Sequence, residues 1–240
     1  MNHFFFLAAG FGKRMGSWTV GTPKPLLKID GISFLDYSLF LANKWGAKKS
    51  WINVHYLGDK IIFHLKKFNG FPLDISYEKK EILGTAGGIK TALENVILDQ
   101  PLVLYNPDTL LFPNNNFKLK STLPKESKIH LYLNQLSPND NYTKIKLEES
   151  GHICFGDGDL YYIGLALIHL DILKEIESHT YADLSPIFKE LAKTNQITGE
   201  IFDGDTLDLG EKDLYESYLN KNVFGDQKKE ILEFIAKSFT

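Results

Sequence analysis

Two glycines and three cations follow the first apolar segment of the chain. The stretch from residue 7 to residue 27 reads LAAGFGKRMGSWTVGTPKPLL and contains Gly10 and Gly12 together with Lys13, Arg14 and Lys24. Glycines without side chains let backbone N–H groups approach an anion closely. Arg and Lys neutralise phosphate charge, Arg as a planar fork and Lys as a point charge. The spacing predicts a phosphate-binding loop, and a glycine turn among solvated cations is the alternative that spacing alone leaves open.

Two aspartates far apart in the chain are candidate metal ligands. Asp108 directly follows the apolar run VLYN and a proline, and Asp208 lies in DTLDLG near the end of the chain. Ligands in open α/β sheets bind at the carboxyl ends of strands, and Mg²⁺ needs few protein carboxylates when substrate phosphates complete its shell. Turn capping is the alternative for each, and Asp203 and Asp205 compete with Asp208 for this role.

The pattern of elements predicts a single α/β domain over 1–240. Residues 1–108 alternate apolar strands with amphipathic helices, which favours a mostly parallel, mixed sheet with helices on both faces. The later residues predict a strand at 127–135, a hairpin at 142–155, and strands at 160–170 and 197–203. They also predict helices at 184–194 and in the C-terminal tail. Ser33 is a predicted N-cap for a helix that begins at residue 34.

Composition narrows the class of partner. The formal net charge is -3 and the Lys and Arg residues are scattered, which argues against nucleic acid as a main partner. The single cysteine, Cys154, has no internal partner for a disulfide, which favours a reducing compartment. The first apolar run is too short to span a bilayer. We therefore expect a cytoplasmic protein without a membrane partner.

The ordered motifs resemble the sugar-1-phosphate nucleotidyltransferases. The family pattern A-A-G-x-G-x-R-[LM], nine further positions and then T-P-K-P-L is matched by LAAGFGKRM…TPKPLL. INVHYLGDKI, LGTAGGIKTAL, VLYNPD and LDLG follow in the expected order. The resemblance covers nearly the whole chain. It implies a Rossmann-like fold of the nucleotide-diphospho-sugar transferase type, with a nucleotide-binding half at 1–108 and a sugar-phosphate-binding half at 109–240.

The same resemblance implies a reaction and a set of site residues. An NTP and a sugar 1-phosphate would combine into an NDP-sugar and pyrophosphate, with Mg²⁺ bound by Asp108 and Asp208. The implied catalytic residues are Arg14 and Lys24. The implied nucleotide-binding residues are Leu7, Ala9, Gly10, Gly12, Glu78, Gly84, Thr85 and Ala86. The implied substrate-binding residues are Asn106, Gly164 and Thr206.

Several alternatives stay open at this point. Glu78 accepts hydrogen bonds equally from guanine or a pyrimidine dione, or it is a solvated charge at a strand end. Gly164 lets a sugar lie against the backbone, or it is a strand bulge. Pro107, Thr206 and Glu211 depart from the family pattern, and no E-K-P follows. A cytidylyltransferase acting on phosphocholine or another non-sugar phosphate, a glycosyltransferase, and a non-catalytic nucleotide-binding protein are the rival functions. The base, the sugar and the oligomeric state are not determined by the sequence.

Overall fold

The computed structural model describes residues 2–137 and 141–240 of the chain. The strands in this part of the chain are β1 (Asn2–Leu7), β2 (Lys28–Ile29), β3 (Ile32–Ser33), β4 (Ala47–Val54), β5 (Leu73–Tyr77), β6 (Leu102–Tyr105), β7 (Thr109–Pro113), β8 (Ile129–Gln135), β9 (Ile145–Leu147), β10 (Ile153–Phe155), β11 (Leu160–Ile168), β12 (Ile197–Ile201) and β13 (Gly204–Asp208). The α-helices described there are α1 (Phe34–Lys44), α2 (Gly58–Leu65), α3 (Gly84–Ala92), α4 (Leu184–Lys193), α5 (Lys212–Tyr218) and α6 (Lys228–Ser238).

A mixed sheet forms the centre of the fold. Within residues 2–137 and 141–240 it has nine strands, in the order β10-β9-β11-β6-β1-β4-β5, with β8 beside β11 and β12 beside β8. The pairs β1–β4, β1–β6, β4–β5 and β8–β12 are parallel, whereas β11 runs antiparallel to both β6 and β8. Strands from both halves of the chain therefore share one sheet, and the predicted α/β class is confirmed.

Apolar alternation along β1 explains why helices cover both faces of the sheet. Phe4 and Phe6 belong to the core cluster that contains α1, whereas Phe5 belongs to the cluster that contains residues of α3 and α4. All three rings have no solvent exposure. Helix α1 begins as predicted, because the Asp36 amide donates to Ser33 Oγ over 3.0 Å.

Several elements were not predicted, and one of them organises the site. Strands β7 and β13 form a separate antiparallel pair whose register sets Thr109 opposite Asp208. Asp108 precedes β7 directly, so this pairing brings the two predicted metal ligands to the same place. The short pair β2–β3 and helix α5 were also missed.

The helices of the structure bear on the predicted lack of a membrane span. In residues 2–137 and 141–240 no helix combines the length and apolar character needed to cross a bilayer. Cys154 lies in β10 with an exposed thiol.

Candidate active site

The glycine loop after β1 forms one side of a cleft of about 400 Å³, here called the basic cleft. The predicted residues that line it are Leu7, Gly10, Gly12, Arg14, Lys24 and Asp108. Gly12 has φ +64°, and a Cβ there would lie 2.9 Å from Thr19 Cγ2 and 3.2 Å from Lys24 Cβ. A side chain at position 12 is excluded by both backbone conformation and space. The close turn is what allows Lys24 to stand directly behind the loop.

Of the two predicted metal ligands, Asp108 lines the basic cleft, and Asp208 lies close enough to interact electrostatically with Asp108 and Lys24. Lys24 Nζ donates to Asp108 Oδ2 in an ion pair that is largely shielded from solvent. Asp208 accepts from the Gly210 amide at 2.7 Å and from the Tyr142 hydroxyl at 2.5 Å, one bond to each carboxylate oxygen. Both oxygens of Asp208 are therefore fixed in direction before any ligand binds.

Gly210 lies where the charged side chains meet. A Cβ at this position would lie 2.7 Å from Asp208 Oδ1, 3.2 Å from Arg14 Nη2 and 3.3 Å from Lys24 Nζ. Any larger residue would displace a carboxylate or a cation from the cleft. Gly210 is the last residue of the LDLG motif, and the structure gives the physical reason for glycine there.

The electrostatics of the aspartate pair fit a divalent cation. Burial, followed by the negative charge of Asp108, raises the pKa of Asp208, against the opposing effects of the Tyr142 hydrogen bond, Lys24 and the Gly210 amide. Two carboxylates that repel each other across a cleft are stabilised by a shared cation. Since no group of three or more His, Cys, Asp or Glu side chains is gathered around a metal position in the described residues, this donor set suits an ion that takes its other ligands from water and phosphate.

The alternative aspartates, Asp203 and Asp205, lie away from Asp208. Asp203 precedes β13, and its Oδ1 atom accepts from Asn114 Nδ2 at 2.7 Å. Asp205 lies in β13 opposite Phe112, and its side chain is exposed. Side chains alternate between faces along a strand, so Asp205 and Asp208 point to opposite sides. Of the three candidates, Asp208 is the one that interacts with Asp108.

Arg14 lines the basic cleft but is not fixed tightly. Its Nη1 atom donates to Glu211 Oε1 at 3.1 Å, and both side chains are more than half exposed. An exposed ion pair of this kind contributes little and exchanges readily for a better anion. Glu211, which departs from the family pattern, is therefore a weak partner for Arg14 at the edge of the basic cleft.

A second cleft of about 440 Å³, here called the central cleft, joins the basic cleft through Leu7, Gly10, Phe11 and Asp108. Ala9, Gly84 and Thr85 also line it, as do Tyr181 and Asp183, which sequence reasoning missed. Ala86 is fully buried. A predicted N-cap before the helix at 184 could have drawn attention to Asp183.

The backbone amides at the start of α3 already have acceptors. The Thr85 amide donates to Asp183 Oδ1 at 3.1 Å, and the amides of Ala86 and Gly87 donate to the Ala182 carbonyl at 2.9 and 3.0 Å. Gly84 has φ +71°, and a Cβ there would lie 2.5 Å from the Ala182 oxygen. The segment before α4 therefore caps α3, and these three amides are not available to a ligand without moving that segment.

Glu78 is buried rather than solvated, so the solvated alternative is wrong. Its Oε1 accepts from Asn53 Nδ2 at 2.7 Å and its Oε2 from the Leu83 amide at 2.8 Å. Asn53 Oδ1 in turn accepts from the Ala8 amide at 3.0 Å, and Asn53 lines the central cleft. Glu78 thus orients Asn53 and the loop before α3. Asn53 sits at the carboxyl end of β4, as Asn106 does beyond β6, which is the signal that would have found it.

A third cleft of about 300 Å³, here called the apolar cleft, shares Leu7, Thr85 and Asn106 with the central cleft. Gly164 stands beside Asn106 with φ +81°, where the β11–β8 register shifts, which agrees with the strand-bulge alternative. A Cβ on Gly164 would lie 2.8 Å from Asn106 Cβ. Asn106 lines both clefts, and its Oδ1 atom is buried without a hydrogen-bond partner within residues 2–137 and 141–240.

Thr206, which departs from the family pattern, is part of a network of polar and aromatic side chains. Thr206 Oγ1 accepts from Asn134 Nδ2 at 2.9 Å and lies 3.1 Å from the Tyr161 hydroxyl. The Tyr161 ring stacks on Tyr142 with 4.5 Å between centroids. Tyr142 also lines the apolar cleft and bonds Asp208. No local pattern in the sequence signals this role for Tyr142.

Comparisons with known proteins show which proteins this chain resembles in sequence and in fold. Residues 5–116 match the model of the MobA-like NTP transferase domain. The chain is 30% identical over 223 residues to D-glycero-alpha-D-manno-heptose 1-phosphate guanylyltransferase of Campylobacter jejuni, covering 90% of this chain and 98% of that protein. It is 29% identical over 211 residues to N-acetylmuramate alpha-1-phosphate uridylyltransferase of Neisseria meningitidis, covering 85% and 91%. The crystal structure of HddC from Yersinia pseudotuberculosis has the same fold, with a TM-score of 0.72 at 20% identity over 91% of this chain and 98% of that one.

Proposed function

We propose that this chain, which belongs to the sugar-1-phosphate nucleotidyltransferases, joins a nucleoside triphosphate to a sugar 1-phosphate and releases pyrophosphate. The observation that carries the proposal is the Lys24–Asp108 ion pair, beside the fixed carboxylate of Asp208, where the basic and central clefts join. A cation and two carboxylates at such a junction suit the neutralisation of a reacting phosphate.

The triphosphate occupies the basic cleft in this proposal. The turn at Gly10 and Gly12 brings backbone close to the phosphates, and Arg14 leaves Glu211 to bind the departing pyrophosphate. Lys24 contacts the α-phosphate, because its ammonium group already stands at the cleft floor. The base and ribose then extend into the central cleft between Ala9 and Gly84.

The chemical step is a displacement at phosphorus. An oxygen of the sugar 1-phosphate attacks the α-phosphorus, a new P–O bond forms, and the bond between the α-phosphorus and the bridging oxygen breaks in line. Pyrophosphate carries away the electron pair. No covalent enzyme intermediate is required, so catalysis rests on orientation of the two substrates and on neutralised charge.

Enzymes of this family generally use a divalent metal. In this chain Asp108 and Asp208 would hold Mg²⁺, and the bound ion would offset charge on the α-phosphate and the attacking phosphate. Tyr142 and the Gly210 amide keep the oxygens of Asp208 oriented for that purpose. Lys24 balances the charge of Asp108 in the free protein.

The acceptor sugar occupies the apolar cleft, which meets the central cleft at Asn106. The unpaired Asn106 Oδ1 accepts a hydrogen bond from a sugar hydroxyl. The bulge at Gly164 leaves the space that the side chain of Asn106 requires. The nucleotide thus contacts mainly residues of 1–108, and the acceptor contacts mainly residues of 109–240.

Pyrophosphate release tests the proposal directly. The four common NTPs are crossed with a panel of sugar 1-phosphates and with phosphocholine, in the presence of Mg²⁺. We expect release with one nucleotide and a sugar 1-phosphate, a loss of about 10²-fold or more in Asp108→Asn, and near-normal release in the matched variant Asp205→Asn. Release with phosphocholine alone would indicate a non-sugar acceptor. NTP binding without release for any pair would indicate a nucleotide-binding protein instead.

A further inference from the structure

The ammonium group of Lys24 lies close to both predicted metal ligands. Its Nζ atom donates to Asp108 Oδ2. A Cβ atom on Gly210 would lie 3.3 Å from Lys24 Nζ and 2.7 Å from Asp208 Oδ1, so a single position is near both the ammonium group and the second carboxylate. Burial and the charge of Asp108 raise the pKa of Asp208, and the charge of Lys24 is among the effects that oppose this rise. Lys24 therefore stands where a shared cation would neutralise the two carboxylates.

The surroundings of Lys24 keep its ammonium group at this position. Pro23 and Pro25 flank Lys24 in the sequence, and their fixed φ angles restrict the backbone there. A Cβ at Gly12 would lie 3.2 Å from Lys24 Cβ, so the base of the side chain is enclosed by the glycine loop. Only 11% of the Lys24 side chain is exposed, whereas 61% of the Arg14 side chain is. Solvent and salt therefore weaken the ion pair of Lys24 much less than they weaken that of Arg14.

The ammonium group and a divalent cation compete for the carboxylate of Asp108. Mg²⁺ binds carboxylate oxygens directly at about 2 Å, which is closer than a hydrogen-bond donor approaches. Two cations at one carboxylate also repel each other, and this repulsion is strong where burial lowers the dielectric. A cation that binds Asp108 must therefore displace Lys24, and its apparent affinity is lowered by that displacement.

We infer that Lys24 is an internal substitute for the metal ion: in the protein without nucleotide, its ammonium group occupies Asp108 and keeps the affinity for a divalent cation low. The inference rests on the proposed function, in which a phosphate of the nucleotide gives Lys24 a second anion to contact. Once Lys24 contacts that phosphate, Asp108 is free to bind the metal ion. Metal affinity is thereby tied to the presence of nucleotide, and by linkage the metal ion strengthens nucleotide binding by the same factor.

Mn²⁺ binding to the protein without nucleotide tests the competition. Mn²⁺ suits the same oxygen ligands as Mg²⁺, and electron paramagnetic resonance measures the free ion during a titration. Lys24→Met keeps a side chain of similar length and removes the charge. We expect the Mn²⁺ dissociation constant to fall by about tenfold or more in Lys24→Met, because a charged hydrogen bond no longer has to be broken at Asp108. The control Lys28→Met removes an exposed charge four residues further along the chain and should leave this constant unchanged.

Two further variants show where the ion binds and which property of Lys24 matters. Combining Lys24→Met with Asp108→Asn should abolish the gain in Mn²⁺ affinity, because the carboxylate is gone. Lys24→Arg keeps the positive charge and should retain the low affinity of the wild type. If Lys24→Met unfolds without metal because Asp108 and Asp208 repel each other, Mn²⁺ should restore its near-ultraviolet circular dichroism.

Three results would overturn the inference. The first is a Mn²⁺ dissociation constant that agrees within about twofold between the wild type and Lys24→Met. The second is a gain in affinity that persists when Asp108→Asn is added, and the third is an unfolded Lys24→Met that Mn²⁺ does not restore. The proposed function fails separately, through the absence of pyrophosphate release for every pair of substrates, since the Mn²⁺ titration uses no substrate.

Discussion

The hydrogen bond from Tyr142 to Asp208 permits a sharp test of how the metal carboxylate is held. Tyr142→Phe removes the hydroxyl and keeps the ring, so the stack on Tyr161 and the wall of the apolar cleft are preserved. The 2.5 Å O–H···O distance is at the short end of the range for a bond to an ionised carboxylate. The variant therefore removes the charge-assisted hydrogen bond to Asp208.

The expected size of the effect follows from the surroundings of Asp208. Burial and the charge of Asp108 already raise the pKa of this carboxyl, and the Tyr142 hydroxyl acts against both. Hydrogen bonds to charged groups contribute about 1.5–3 kcal/mol, or about 10- to 150-fold in an equilibrium. Without the hydroxyl, the pKa of Asp208 rises further and its Oδ2 atom is no longer held in one direction. We therefore expect the variant to bind a divalent cation more weakly.

Mg²⁺ titration measures this loss in two ways. The Mg²⁺ concentration for half-maximal pyrophosphate release should rise by about tenfold or more in Tyr142→Phe. The Mg²⁺-dependent gain in thermal stability should need a correspondingly higher concentration. Tyr162→Phe removes a different hydroxyl from the same cleft and should change the KM for the acceptor, not the Mg²⁺ requirement. A Mg²⁺ requirement unchanged within about twofold in Tyr142→Phe would refute the role assigned to this hydrogen bond.

Two further predictions concern Lys24 and Asp183. Lys24→Ala should lower kcat by about 10²–10³-fold, because a positive charge at the reacting phosphate is lost. The control variant Lys28→Ala should leave kcat unchanged. A loss below about tenfold in Lys24→Ala at saturating substrates would contradict the role of Lys24. Burial raises the pKa of Asp183, but hydrogen bonds from Tyr181 and Thr85 outweigh it and lower this pKa overall. Its contribution to stability is therefore present above the pKa of an unfolded aspartate and is lost as the pH falls through the folded-state value. In urea unfolding, Asp183→Asn should have a lower free energy of unfolding than the wild type near neutral pH, and this difference should shrink in acid. For the exposed control Asp226→Asn, the difference from the wild type should not depend on pH. The same independence of pH in Asp183→Asn would contradict the prediction.

Much of the fold could be predicted because its signals are local. The run HFFFLAA buries Phe4, Phe5 and Phe6 on both faces of β1, and a continuous apolar run is typical of an interior strand. Ser33 caps α1 through a bond to a residue three positions away. The β7–β13 pair has no such signal, because each strand is short and its partner is distant in the chain.

The residues of the candidate site also fall into those with a local signal in the sequence and those without one. Asp108 and Asn106 follow a buried strand, so their place at the edge of the sheet follows from strand position. The importance of Tyr142 depends on a contact with Asp208, 66 residues away, and the capping of α3 depends on Ala182 and Asp183. Residues whose role comes from a long-range contact leave no periodic or local pattern in the sequence.

The departures from the family pattern change the neighbours of Asp208, the proposed metal ligand, and leave this aspartate itself in place. Thr206 is joined to the Tyr142–Tyr161 stack, and Glu211 pairs with Arg14 at the edge of the basic cleft. Because Tyr142 both lines the apolar cleft and bonds Asp208, a sugar that packs against its ring also stabilises the orientation of that carboxylate. Acceptor and metal binding are then coupled, and by linkage each must strengthen the other by the same factor.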